Sequence, residues 1–165
     1  MAEMAERSSE TILLELPFAE QFVVWATRTW VAGLKDGIAR SFSLQRGFDL
    51  AGIPNGLHAL DGLLGTIAIG AARSIDIRCV KCRRVSDDER AILAALAGCQ
   101  AGASSSAKGV FECFLVSAAA RVAATQADDL ACELSQAKLL LRQPVSAFAR
   151  VVSISAALAR GETMH

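Results

Sequence analysis

Cys79 and Cys82 stand three residues apart in RCVKCRRVSDDER, residues 78–90, where a run of positive charge gives way abruptly to acid. Thiols at this spacing can do two kinds of chemistry. As thiolates they can each give a ligand to a soft metal, or together they can lose two electrons and close a disulfide. The third reading is that they are ordinary thiols in a turn between helices.

Zinc is the default metal for paired thiolates, and a tetrahedral site needs four ligands, of which one C-x-x-C supplies two. The remaining candidates in the chain are Cys99, Cys113, Cys132, His58 and His165. Cys99 lies thirteen residues beyond Ser86, which in a helix is roughly 20 Å from the pair. His58, near the start of the preceding helix, is about as far away. Cys113 and Cys132 fall within helical sequence, and His165 is the last residue. The metal reading is therefore a zinc shared between two chains through Cys79 and Cys82 of each, or completed by Asp76 and a water. In the redox reading Arg78, Lys81, Arg83 and Arg84 favour the thiolates, although the strand and helix that flank a thioredoxin-type pair are missing.

Arg73, Arg78, Lys81, Arg83 and Arg84 fall within twelve residues that hold a single acid, Asp76. Such a cluster can dock phosphate, nucleic acid or an acidic protein. The plainer expectation is that it pairs with Asp87, Asp88 and Glu89 or stays in water. No aromatic residue lies among these charges to stack a base, which weakens the nucleic-acid reading. In WATRTW, Arg28 stands between Trp25 and Trp30; it is read as internally paired or snorkelling rather than as an anion grip with aromatic walls.

Catalytic machinery is sparse. The chain has two histidines and no tyrosine, and its acids cluster at expected helix starts, where capping accounts for them. There is no P-loop, no GxGxxG after a strand and no GxSxG. An enzyme is not expected.

The elements that must carry these residues read as helices. Helical periodicity dominates, and no alternating stretch is longer than IDIRCV. A first helix starts near Pro17 and runs to Lys35, with Phe18, Phe22 and Trp25 on one face and Val23, Trp30 and Leu34 on another, so it is expected to be central. A short helix over SFSLQRGFDLAG follows. Another opens at Pro54 and ends near Arg73, carrying Gly62, Thr66 and Gly70 as a smooth strip for a close crossing. Residues 74–85 form a basic connector holding the cysteine pair. SDDE at 86–89 is a capping box, and Ile92, Leu96 and Cys99 set the buried face beyond it. GASSS at 102–106 reads as a flexible turn. Helical sequence on either side of a break near Thr125 to Asp128 follows, with the acids at 128 and 129 suiting a helix start. Pro144 opens a last helix striped by Ala147, Val151, Ile154 and Leu158.

The expected architecture is all-α, a single-domain orthogonal or up-and-down bundle of about six helices over residues 1–165, with residues 1–10 disordered. A chain of 165 residues is long enough to bury a core without a metal or disulfide. It is 53% hydrophobic with a mean hydropathy of +0.37, greasy enough to suggest a partner surface. Lys+Arg and Asp+Glu balance at 17 each, so no global field draws the chain to nucleic acid or an anionic membrane. The most apolar stretch, residues 58–73, is broken by Asp61 and too short to span a bilayer. The opening MAEMAERSSE lacks the basic start and apolar core of a signal peptide, and five cysteines are therefore expected to be reduced cytoplasmic thiols. The functional expectation is a small regulatory or adaptor protein acting through protein–protein contacts, as a homodimer. Two alternatives are a nucleic-acid-associated regulator with a zinc-holding basic loop, and a helical pocket for an apolar ligand.

Overall fold

Pro17 fixes the entry to the first helix, and the rest of the architecture follows from where apolar stripes find partners. In the computed structural model, which describes residues 11–37 and 41–143, Pro17 is the N-cap of α1, Phe18–Lys35. A single 3-10 turn, Leu13–Glu15, precedes it. Helices α2 (Phe42–Leu50), α3 (Gly56–Gly70), α4 (Asp87–Gln100), α5 (Ser104–Glu112) and α6 (Ser117–Gln136) complete the set. The protein is an all-α bundle, with six α-helices and only two isolated β-bridges among the described residues. One apolar cluster draws side chains from all six.

The hub of the bundle is α6. It packs most closely on α3, and also meets α4 and α5. Its buried face is Ala120, Ala123, Ala124, Ala127, Leu130, Ala131 and Leu134, a three-and-four spacing in which small residues let neighbouring helices approach. The expectation that α1 is central is corrected in this respect. Its middle turns are buried, but Phe18 and Leu34 at its ends are exposed.

The small-residue strip on α3 is the crossing that its spacing predicts. A Cβ placed on Gly70 would lie 2.2 Å from the Ala119 Cβ, and one on Gly62 would lie 2.8 Å from the end of Gln126. Between them Thr66 Oγ1 donates to Gln126 Oε1 at 2.8 Å. Trp25 is explained in the same way. Its ring rests on Gly47 of α2, where a Cβ would fall 2.5 Å from Cη2. Trp30 is buried, and its Nε1 donates to Asp61 Oδ1 at 2.8 Å.

Two expected boundaries are wrong. The serines of GASSS do not form a loose turn: the turn is confined to residues 101–102, with Gly102 at φ 76°, and Ser104 already opens α5. There is also no break near Thr125, since α6 runs unbroken from Ser117 to Gln136. The break falls earlier, at residues 113–116, because Phe114 and Leu115 turn into the core and Val116 N donates to Gly70 O at 3.0 Å. The helix expected from Pro144, and the disorder expected for residues 1–10, lie outside the described residues.

Candidate functional site

The connector between α3 and α4 carries the cysteine pair Cys79 and Cys82 and the basic residues Arg73, Arg78, Lys81, Arg83 and Arg84, and its backbone is held by buried charge. At its end, Ser86 Oγ accepts from Glu89 N at 3.1 Å while Glu89 Oε2 accepts from Ser86 N at 2.9 Å, closing the capping box. Glu89 does more than cap. Its carboxylate faces Arg28 on α1, with Nε donating to Oε1 at 2.6 Å and Nη2 to Oε2 at 2.8 Å. Both side chains are essentially out of water.

Arg28 spends its other donors on the connector itself. Nη1 donates to Cys82 O at 2.6 Å and Nη2 to Arg84 O at 2.7 Å. Glu89 Oε1 also accepts from Arg78 N at 3.1 Å. One ion pair therefore fixes backbone at residues 78, 82, 84 and 86, and the fork of the guanidinium is what allows it. The hydrogen bond to Glu89 raises the Arg28 pKa against the opposing effect of burial. Arg28 is thus internally paired, and Trp25 and Trp30 do not wall an anion site around it.

A second clamp sits beside the first. Arg73 grips Asp88 with Nη1 at 3.1 Å and Nη2 at 2.7 Å, and Asp76 N donates to the same carboxylate at 2.7 Å. The Arg73 guanidinium holds the Asp88 carboxyl below its ordinary pKa, burial opposing. Arg73 also lies over the Phe114 ring, 5.6 Å from its centroid. Ser86 Oγ in turn donates to Asp76 O. Residues 11–13 run alongside: Leu13 N donates to Arg83 O at 2.8 Å and Val85 N to Thr11 O at 2.9 Å.

A cleft of about 490 Å3 opens here, lined by Arg73, Arg78, Arg84 and Arg90 together with Asp76, Asp87 and Asp88. Its charges are largely answered internally. Arg73 pairs with Asp88, Arg78 with Asp76 at 2.9 Å, and Arg90 with Asp87. Of the five basic residues marked in the sequence, Arg73 meets the acid expected of it, Asp88, whereas Glu89 goes to Arg28 and Asp87 to Arg90. The side chains of Lys81 and Arg83 are exposed.

The cysteines are distributed in a definite way. Cys82 N donates to Cys79 O at 3.0 Å, closing a turn over Val80 and Lys81. Cys79 is exposed and Cys82 half-buried. Cys99 is buried near the opposite end of α4, where desolvation pushes its thiol up to about 12. Cys113 and Cys132 are exposed on α5's end and on α6, and His58 is exposed in the first turn of α3. Among the described residues no group of three or more His, Cys, Asp or Glu side chains is gathered to hold a metal. A second cleft, about 300 Å3, lies between the start of α1, α4 and residues 141–143. Leu16, Leu93 and Leu141 line it, and the buried Glu20 is paired there with Arg142 at 2.9 Å.

Sequence reasoning found the capping box and the basic cluster but not their common anchor. The signal was a lone arginine in an otherwise buried helix, and nothing in the sequence pointed to its partner sixty-one residues away. The chain matches no family model, no curated protein and no solved structure.

Proposed function

We propose that this chain is a small regulatory or adaptor protein that works through protein–protein contacts, with a second copy of itself as the first partner. The observation that carries the reading is the amount of large apolar side chain left in water on a bundle that already has a full core. Ile69 is 89% exposed and Val116 52%, and they flank the Ala71–Leu115 bridge where α3 ends and α6 begins. Leu14, Phe18, Phe42 and Leu50 are exposed to a similar degree on other elements. The bond from Val116 N to Gly70 O brings Val116 beside the end of α3 that carries Ile69; clustered apolar side chains mark interaction sites where scattered ones do not, and a two-fold dimer needs only one self-complementary patch.

The chemistry of the connector fits this reading better than it fits nucleic-acid binding. Three arginines of its cleft are neutralised by its own aspartates, which leaves few cations to release counterions from a phosphate backbone. Among the described residues no helix is long and apolar enough to cross a membrane. The test is native mass spectrometry and light scattering on the full chain, beside an Ile69→Asp, Val116→Asp variant. The expected result is a dimer that the double substitution converts to a folded monomer. A wild-type monomer across micromolar concentrations would remove the self-association, and a dimer indifferent to both substitutions would move it to another face.

A further inference from the structure

The turn that brings Cys79 and Cys82 together has the geometry and the asymmetry of a working dithiol. A turn closed by the bond from Cys82 N to Cys79 O keeps its first and fourth Cα atoms within about 7 Å. A disulfide accepts Cα separations of about 4.4 to 6.8 Å, so the turn brings the two cysteines into the range of backbone separation that a disulfide bridges. The turn is also anchored from behind. Arg28 Nη1 holds the Cys82 carbonyl at 2.6 Å, and the Arg28–Glu89 pair that aims it is buried. The two thiols differ in access, Cys79 standing in solvent and Cys82 half-covered. The cations Lys81 and Arg83 sit beside them in the chain and are exposed, where they attract anionic thiol reagents.

We propose that Cys79 and Cys82 are a reversible redox site that exchanges with low-molecular-weight disulfides of the glutathione type, with Cys79 the entering thiol and Cys82 the resolving one. In the first step the Cys79 thiolate, its proton lost to solvent, attacks one sulfur of the small disulfide. That S–S bond breaks, one small thiolate leaves and takes up a proton, and a mixed disulfide remains on Cys79. The Cys82 thiolate then attacks the Cys79 sulfur, expels the second small thiol and closes the Cys79–Cys82 bond. Two electrons and, through solvent, two protons pass from the protein dithiol to the small disulfide, which ends as two thiols. The reverse sequence restores the dithiol. Because the Arg28 clamp grips backbone carbonyls and not sulfur, both redox forms keep the connector in place, and the change is confined to the surface around Val80 and Lys81.

The experiment uses the full chain carrying Cys113→Ser and Cys132→Ser, so that the other exposed thiols do not consume reagent, incubated with oxidised glutathione. Intact mass and peptide mapping report the products, and circular dichroism reports the fold. The expected product is a Cys79–Cys82 disulfide with two hydrogens lost and unchanged helicity. Adding Cys82→Ser should trap one glutathione on Cys79, and adding Cys79→Ser should slow reaction at Cys82 by about tenfold or more. Should Cys82→Ser fail to fold, a time course on the unsubstituted pair gives the same answer, with glutathionylated Cys79 appearing before the closed form. Equal reactivity of the two single thiols would overturn the proposal, as would glutathione that stays on Cys79 with Cys82 intact. Closure only after unfolding would also overturn it. So would zinc that co-purifies with the pair and must be chelated before any reaction, because the thiols would then be metal ligands.

Discussion

Two regions of this bundle are built to opposite rules. At the start of α4, Arg28, Glu89, Asp88 and Ser86 are all buried and polar, and each is satisfied by several partners. Where α3 crosses α6, the contact depends on what is missing, a side chain at Gly70 and Gly62. The polar region is specified by counting donors and acceptors, and a single deletion leaves its partner stranded in a low dielectric. The seam is specified by volume, and it fails when something is added. The two therefore respond to opposite substitutions, and that contrast can be tested.

The largest effect is expected at the ion pair. Glu89→Ala leaves a buried guanidinium with no counter-charge and removes acceptors from Arg78 N and Ser86 N. Breaking such a pair from one side costs about 3 to 5 kcal/mol, which chemical denaturation would read as a large drop in midpoint. Replacing both members, Arg28→Met with Glu89→Leu, should recover much of that loss, although Cys82 O and Arg84 O lose their donor. If the double variant is no better than Glu89→Ala, the clamp on the connector backbone outweighs the charge pair itself.

The seam should give the next largest effect, and an internal difference. Gly70→Ala puts a Cβ 2.2 Å from that of Ala119, atoms held by two helix backbones that must part. Overpacking of this kind costs about 1 to 3 kcal/mol. Gly62→Ala meets the amide end of Gln126 at 2.8 Å, which can swing aside at the cost of its bond to Thr66. Thermal unfolding of the two variants should therefore rank Gly70→Ala below Gly62→Ala. The reverse order would mean that α3 and α6 separate more readily than the side-chain hydrogen bond breaks.

How much of this was legible in the sequence depends on the range of the interaction that decides it. The capping box at residues 86–89, the Pro17 helix start and the small-residue strip of α3 are local patterns, and each forms as its spacing implies. The end of α5 is not local. FLV at residues 114–116 contains no helix breaker, and the chain leaves the helix because Leu115 bridges to Ala71 and Val116 reaches Gly70. Asp128 and Asp129 resemble a helix start, yet they lie in the interior of α6, where Asp128 accepts from Ser104 Oγ at 2.8 Å. The same bond ties the first turn of α5, a serine run that reads as a loop, to α6. The Arg28–Glu89 partnership, joining α1 to α4, was likewise not local: Glu89 read only as the acid of the capping box, and Arg28 as internally paired or snorkelling with no partner named.

The smallest effect belongs to the outer clamp, and it has a pH signature that the seam lacks. Arg73 is half exposed, so solvent screens its attraction for Asp88 and the pair stabilises the fold less than its geometry suggests. The Asp88 carboxyl nevertheless titrates below the ordinary aspartate range, chiefly through the Arg73 hydrogen bond and further through the Asp76 amide, with burial opposing. A carboxyl whose folded pKa is depressed binds protons more readily in the unfolded chain. Its contribution is therefore complete above the ordinary carboxylate range and is lost as pH falls through the lower folded value. Arg73→Gln should destabilise the protein modestly near neutrality, and the gap from wild type should narrow as unfolding is measured at pH below about 4. Added salt at neutral pH should narrow it as well, since the guanidinium is within reach of counterions. A gap that persisted unchanged into acid would assign the role of Arg73 to its contact with the Phe114 ring rather than to its pairing with Asp88.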